Sequence, residues 1–263
     1  MIRAFHTAAT GMIAQQFVVD NTANNLANVN TTGFKKSQVD FQDLIYLNLR
    51  QPGIEQLQGQ SVPTGLQIGN GVRVSGNTKL FTQGTETPTG DPLNLAIDGE
   101  GFFQITAPDG TLRYTRDGTF LKNANGDIVT ADGFFLSPRI TIPQDAASVS
   151  IGSDGTVSVT TSGAPTTAST IGQIQLARFP NPAGLSSEGR NLYRDTPASG
   201  AATTGLPSQN NLGLLRQGFL EGSNVEVVSE LVNLLLAQRA YEFNTKAIRV
   251  SDDMLSATND LVR

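Results

Sequence analysis

The sequence predicts an α+β protein in which long N- and C-terminal helices, patterned to form coiled coils, flank an antiparallel β-rich centre. Three observations carry this. All twelve prolines lie between residues 52 and 224, and the first 51 residues hold only Gly11 and Gly33, so both ends are nearly free of helix breakers. Apolar residues at both ends recur at alternating steps of three and four. Between the ends, Asp109-Gly110, Asp117-Gly118, Asn125-Gly126 and Asp132-Gly133 follow one another at seven- or eight-residue intervals, the rhythm of hairpin turns.

In residues 1–35, Phe5, Ala9, Met12, Gln16, Val19, Ala23 and Leu26 fall on one line of a helix. At 1.5 Å per residue that helix is about 39 Å long. Asn21, Asn24, Asn25 and Asn28 collect on the opposite face, and Gly33 stands where a helix commonly ends. Asn and Thr are weaker helix formers than the Glu and Lys of an ordinary wet face. Across "NTANNLANVNTTGFKK" the penalty reaches about 2 kcal/mol. Uncharged amides suit a close polar interface, where each donates and accepts without desolvating an ion. This stretch is therefore expected to be an assembly surface, helical once neighbours supply its partners.

Residues 36–89 form a connecting segment. Within it, "YLNLRQPGIEQLQGQSVPTGLQIGNGVRVSG" (46–76) carries more apolar residues than an entropic linker needs, among them Leu57, Val62, Leu66, Ile68, Val72 and Val74. An extended hairpin laid against neighbouring subunits is expected, with Asn70-Gly71 as the reversal that joins its arms.

Residues 90–215 read as a compact antiparallel β domain. "LNLAIDGEGFFQITAPDG" opens it with the alternation Leu93, Leu95, Ile97 and the pair Phe102 and Phe103, and "TLRYTR", "TFLKN", "DIVTA", "SVSIGSDGTVSVTTSG" and "TIGQIQLARFP" supply further strands. The aspartates between them are turn residues. No segment has the dense oxygen ligands and terminal Glu of a calcium loop.

The last element, residues 216–263, repeats the helical pattern at greater length. Val227, Leu231, Leu234, Tyr241, Thr245, Ile248, Leu255 and Val262 keep a four-three register, with Gln238, Asp252 and Asn259 filling its gaps. A second row, Val228, Val232 and Leu235, widens the early face toward more than one neighbour. Both terminal helices are too long and too thinly apolar to stand as a two-helix domain without partners.

Composition narrows the function. The 263 residues carry a formal charge of -5, which gives no basic footprint for nucleic acid. With no cysteine and a single histidine there is no disulfide framework, thiolate site, cysteine nucleophile or multi-histidine metal cage. Neither a secretory signal peptide nor a membrane-spanning stretch is present, so an exported chain would travel without a cleaved signal and would not be an integral membrane protein. Asp98 and Glu100 flank Gly99 as two surface turn residues without an acid/base environment. No catalytic residue, metal site or cofactor is expected.

Three stretches now carry a resemblance. "NTANNLANVNTTGFKKSQVDFQDLIY" resembles the N-terminal signature of bacterial flagellar rod and hook proteins. "LNLAIDGEGFFQI" followed by "YTRDGTFLKNANGDIVTADG" is similar to their central motif, and "EGSNVEVVSELVNLLLAQRAYEFNTKAIRVSDDML" to their C-terminal helix. Residues 50–74, "RQPGIEQLQGQSVPTGLQIGNGVRV", are similar to the segment of the distal-rod subfamily.

The resemblance implies export in unfolded form through the flagellar type III apparatus. It implies polymerisation into a hollow helical shaft crossing the periplasm, with terminal helices inside and the β domain outside. The implied partners are copies of the chain, other rod and hook subunits, and the basal-body rings around the rod. Proximal rod and hook subunits of the same family are the nearest alternatives, and a secreted β-rich adhesin is a more distant one. The expected subunit interface comprises Phe5, Met12, Val19 and Leu26; Asn21, Asn24, Asn25 and Asn28; Leu66, Ile68, Asn70, Gly71, Val72 and Val74; and Val227, Leu231, Leu234, Leu235, Tyr241, Ile248 and Leu255.

Overall fold

A computed structural model describes residues 2–51, 55–57, 60–61, 64–161 and 164–261. Val62 and Val262, both named above, lie outside these. The chain is α+β, and it divides into two compact units. The first comprises residues 1–27, 37–78 and 226–263; the second comprises 28–36 and 79–225.

In the first unit, α1 (Ile2–Ala27) lies antiparallel to α2 (Val227–Leu261). Asn25 meets Glu230 at one end, and Met12 meets Thr245 further along. The row Ala8, Gly11, Gln15, Val18, Thr22 and Asn25, one residue earlier than the expected row, is less exposed than that row, and Ala14 beside it is also buried. On α2 it passes through Glu230, Leu234, Ala237, Asn244, Ile248 and Ser251. Small side chains explain the displacement, because they let the helix axes approach. At Gly11 a Cβ would come within 2.9 Å of the Asn244 amide.

A ribbon rises from the same unit. β1 (Ser37–Asp43), β2 (Leu47–Arg50) and β3 (Glu55–Leu57) form its outward arm, and β4 (Gln60–Ser61), β5 (Leu66–Ile68) and β6 (Val72–Lys79) form its return. β1 pairs β6, β2 pairs β5 and β3 pairs β4, the last registered pair being Leu57 with Gln60. The hairpin expected over 46–76 thus belongs to a longer ribbon. Asn70-Gly71 does not join its arms: β5 and β6 pair with different partners, and the dipeptide sits inside the returning arm. There Asn70 Nδ2 donates to the Ile45 carbonyl at 2.7 Å and Leu44 N–H donates to that of Gly71 at 2.9 Å. Local amide chemistry is satisfied without a reversal.

The second unit begins its strands with β7 (Glu86–Pro88) and β8 (Leu95–Asp98). β9 (Phe102–Thr106) and β10 (Leu112–Thr115) pair across Asp109-Gly110. β11 (Phe120–Lys122) and β12 (Ile128–Thr130) pair across Asn125-Gly126, and β12 pairs β13 (Phe135–Leu136) across Asp132-Gly133. Three of the four predicted turns are therefore hairpins. Asp117-Gly118 is the exception, since β10 and β11 do not pair. Gly118 crosses the backbone of Leu95 so closely that a Cβ would fall 1.6 Å from its carbonyl oxygen. Space, not turn conformation, requires glycine there.

β14 (Ala146–Ile151), β15 (Thr156–Thr161) and β16 (Ala164–Gln173) form a separate three-stranded sheet. β17 (Leu176–Arg178) joins β9 and β20 (Thr203–Gly205), while β18 (Ser186–Gly189) and β19 (Leu192–Arg194) extend the sheet beyond β10. β21 (Leu214–Gln217) pairs β8 and β22 (Phe219–Glu221) pairs β7. Ile97, Phe103, Ile105, Phe120, Ile128, Val157, Ile174 and Leu176 share the main core. A second cluster joins Phe102, Tyr114, Phe179 and Tyr193 edge to face, with Tyr114 and Phe179 centred 4.7 Å apart.

Candidate assembly surface

The first unit leaves much of its apolar surface in water even though its helices already touch. On α1, Ile13 and Phe17 stand outward, and on α2 so do Val227, Val228, Leu231, Val232, Leu235, Leu236, Tyr241, Phe243, Val250, Met254 and Leu255. Val228 is 69% exposed and Leu235 59%. Of the expected α2 positions, only Leu234 and Ile248 are half-buried; on α1, Phe5, Met12, Val19 and Leu26 are all half-buried. Sequence reasoning missed Ile13, Phe17, Leu236 and Phe243 as interface candidates. Their four- and seven-residue spacings were the available indication, overshadowed by the longer heptad row.

The asparagine face has a largely internal role. Asn25, 2% exposed, accepts from Ser37 N–H at 3.0 Å and donates through Nδ2 to the Ser37 carbonyl at 2.9 Å and to Glu230 Oε2 at 3.3 Å. Asn21 Nδ2 donates to the same carbonyl at 2.7 Å. Asn28 accepts from the Thr31 hydroxyl, and Asn24 is exposed. Of the amides expected to meet a neighbouring subunit, Asn21 and Asn25 thus fasten α1 to β1 and, through Asn25, to α2.

A groove of about 890 Å³ runs between α1 and the ribbon, lined by His6, Ile13, Phe17, Val39, Leu44, Val72 and Val74 among others. Val72 and Val74 are half-buried in it, whereas Leu66 and Ile68 are exposed further out, beside Ile45, Tyr46 and Leu49. Gly71, at φ +110°, approaches α1 so closely that a Cβ would lie 2.2 Å from Thr10 Oγ1. Thr10 Oγ1 in turn accepts from Val72 N–H at 3.4 Å.

Among the described residues there is no His/Cys/Asp/Glu group able to hold a metal ion, and no helix is long and apolar enough to cross a membrane. Asp98 and Glu100 are exposed, and Glu100 pairs with Arg178 at 2.6 Å. The surface offers apolar area for association.

Three stretches match known families: residues 5–35 the family described as flagella basal body rod protein, 96–159 the flagellar hook protein FlgE/F/G D1 domain, and 216–261 the flagellar basal body rod FlgEFG protein C-terminal. The flagellar basal-body rod protein FlgG of Caulobacter vibrioides is 47% identical over 99% of both chains. That of Borreliella burgdorferi is 45% identical over the full length of both. The flagellar basal-body rod protein FlgF of Caulobacter vibrioides is 35% identical over 92% of this chain and 90% of its own. The chain belongs to the flagellar basal-body rod protein family, and is a structural subunit of the rod rather than an enzyme.

Proposed function

We propose that the chain polymerises head to tail into the distal part of the rod, a hollow rigid shaft that transmits motor torque to the hook and serves as an export channel. The observation that carries this is the apolar face left on α1 and α2 after they have packed on each other. Val228, Val232 and Leu235, the second row of the sequence pattern, fit the coiled-coil packing of further helices, and Leu236 stands exposed beside them. Contacts of this kind are heterologous, so one subunit can repeat along a helix without closing.

In this reading α1 and α2, within the expected 1–35 and 216–263, form the assembly core, 36–89 connect it, and the β unit expected over 90–215, to which 28–35 and 216–225 also belong, faces outward. The expected interface residues of the helices and ribbon meet copies of the chain. The partners are other rod and hook subunits, the surrounding basal-body rings and the type III export apparatus. The shaft crosses the periplasm, reached without a cleaved signal peptide. A proximal-rod role is the second reading, favoured by the FlgF relative. The 45–47% identity to FlgG proteins over the whole chain favours the first.

Val232→Glu with Leu235→Glu tests the polymer. Each places a charge on the exposed apolar face, within the first unit. Pelleting and electron microscopy should show no filaments, with the near-ultraviolet spectrum of the aromatic cluster unchanged. Filaments at the wild-type protein concentration would refute the assignment of this face. Basal bodies purified from cells lacking the chain separate the two rod positions: an inner rod that stops short supports the distal reading, and the absence of any rod supports the proximal one.

A further inference from the structure

The last strands of the β unit supply what its earliest segments lack. Lys35, Arg116 and Glu221 come from three distant stretches and meet with almost no exposed side-chain surface. Lys35 Nζ donates to Glu221 Oε1 at 2.5 Å and to the Thr82 carbonyl at 2.6 Å. Arg116 Nε lies 3.2 Å from Glu221 Oε2, and its two terminal nitrogens donate to the carbonyls of Gly101 and Gly99. Glu221 Oε1 also accepts from Gly84 N–H at 3.0 Å. One carboxylate thus answers two buried cations, one of them 186 residues away in sequence.

Neighbouring residues act in the same direction. β21 is the strand partner of β8, whose Leu95, Ala96 and Ile97 are buried, and it adds Leu215 to the main core. Gln217 bonds Ile151 N–H and the Val149 carbonyl, holding β14. Asn224 accepts from Lys36 N–H and donates to the Leu80 carbonyl.

We propose that Glu221, with β21 and β22 around it, is a completion latch: the β unit reaches native packing only when residues 214–225 have joined it. Until then Lys35 and Arg116 lack the carboxylate that both contact, and burying a charge without its partner is far costlier than leaving it in water. The contacts also span most of the chain, so their closure entropy is lost before they reward it. A chain made from its N-terminus therefore stays open until nearly its whole length is available. Open chains suit passage through a narrow channel, a consequence that rests on the function proposed above.

Pulsed hydrogen exchange during refolding of the full-length chain tests the latch. Ile128 and Thr130 N–H, bonded to the carbonyls of Ile140 and Phe134, report the central sheet. Gly33 and Leu215 N–H, bonded to those of Glu221 and Ser153, report the closing strands. All four should gain protection in one phase. Protection of Ile128 and Thr130 in a phase tenfold faster would overturn the proposal. In full-length Glu221→Gln, which keeps the shape and removes the charge, native-state protection of Ile128 and Thr130 should fall about a hundredfold together with that of Gly33. Loss confined to Gly33 and Leu215 would make the contact merely local, and would also overturn it. If the variant does not fold, the order of protection in the wild type decides. Polymerisation is read in neither experiment, so failure here leaves the rod assignment untouched.

Discussion

Asn25 lays its side-chain amide along the peptide of Ser37, donating to the carbonyl and accepting from the N–H as one more rung of a ladder would. Asn224 does the same between Lys36 N–H and the Leu80 carbonyl. A charged or aliphatic side chain cannot replace both bonds, which accounts for asparagine at position 25 near the end of α1. Asn25→Ala leaves buried polar groups unanswered and should cost about 1–3 kcal/mol, read from the urea midpoint of the helical signal. Asp127 gathers Arg139 Nε at 3.0 Å and Nη2 at 2.6 Å, Thr141 Oγ1 at 2.7 Å and Asn123 Nδ2 at 3.1 Å. The Arg139 hydrogen bonds, then that of Thr141, hold its carboxyl well below the usual carboxylate range. Folding therefore favours the ionised form. The stabilisation is complete above the unfolded value of about 3.9 and is lost progressively as pH falls below it toward the lower folded value. Asp127→Asn should be less stable than wild type at pH 7 and lose less stability between pH 5 and pH 3. Parallel losses in the two proteins, measured by urea unfolding, would remove Asp127 as a source of acid sensitivity.

At the scale of elements, period was legible and contact partners were less so. The three-four spacing pointed to a helix toward each end, where α1 and α2 stand, because amphipathic periodicity belongs to the chain itself. It did not single out Ala8, Gly11, Thr22 and Asn25 as the tight line, because close approach favours small residues that a hydrophobic pattern passes over. Turn dipeptides located three hairpins of the β unit, where strands adjacent in sequence are adjacent in space. The same chemistry misled at Asp117-Gly118 and Asn70-Gly71, where glycine answers a crowded crossing. Gly71→Val should therefore disturb the seat of the ribbon on α1, since it meets both Thr10 and an unfavourable φ of +110°. Exchange at Val72 and Leu44 N–H should accelerate at least tenfold, with the β unit unchanged. Thr10→Ala in the same chain should restore part of the protection by relieving the contact but not the backbone strain. Full restoration would show that the φ costs nothing, and none would show that the contact is not the cause.

At the scale of the whole molecule, the ribbon is the element whose removal should separate polymerisation from stiffness. Its inner half, β1 and β6, shares a groove with α1, while its outer half, β2 and β5, carries Leu49, Leu66 and Ile68 exposed, with Ile45 at its base 84% exposed. Apolar side chains on a two-stranded ribbon gain little from each other alone, so in the proposed shaft neighbouring subunits would bury them. Subunits held only through helices can pivot about the helix contacts. A paired ribbon reaching across to a neighbour adds a second, offset attachment that resists the pivot. The structure also identifies an excision: Asn70 Nδ2 donates to the Ile45 carbonyl at 2.7 Å and Leu44 N–H to that of Gly71 at 2.9 Å, so deleting residues 46–69 rejoins the chain where its two arms are hydrogen-bonded neighbours and removes no residue of β1, β6 or either helix. The shortened chain should still polymerise, because α2 keeps Val228, Val232 and Leu235, but its filaments should curve. Measured from electron micrographs, their persistence length should fall several-fold. Straight filaments of unchanged persistence would place stiffness in the helices and the β unit instead, and would remove the ribbon as the reason to assign the chain to the distal rod.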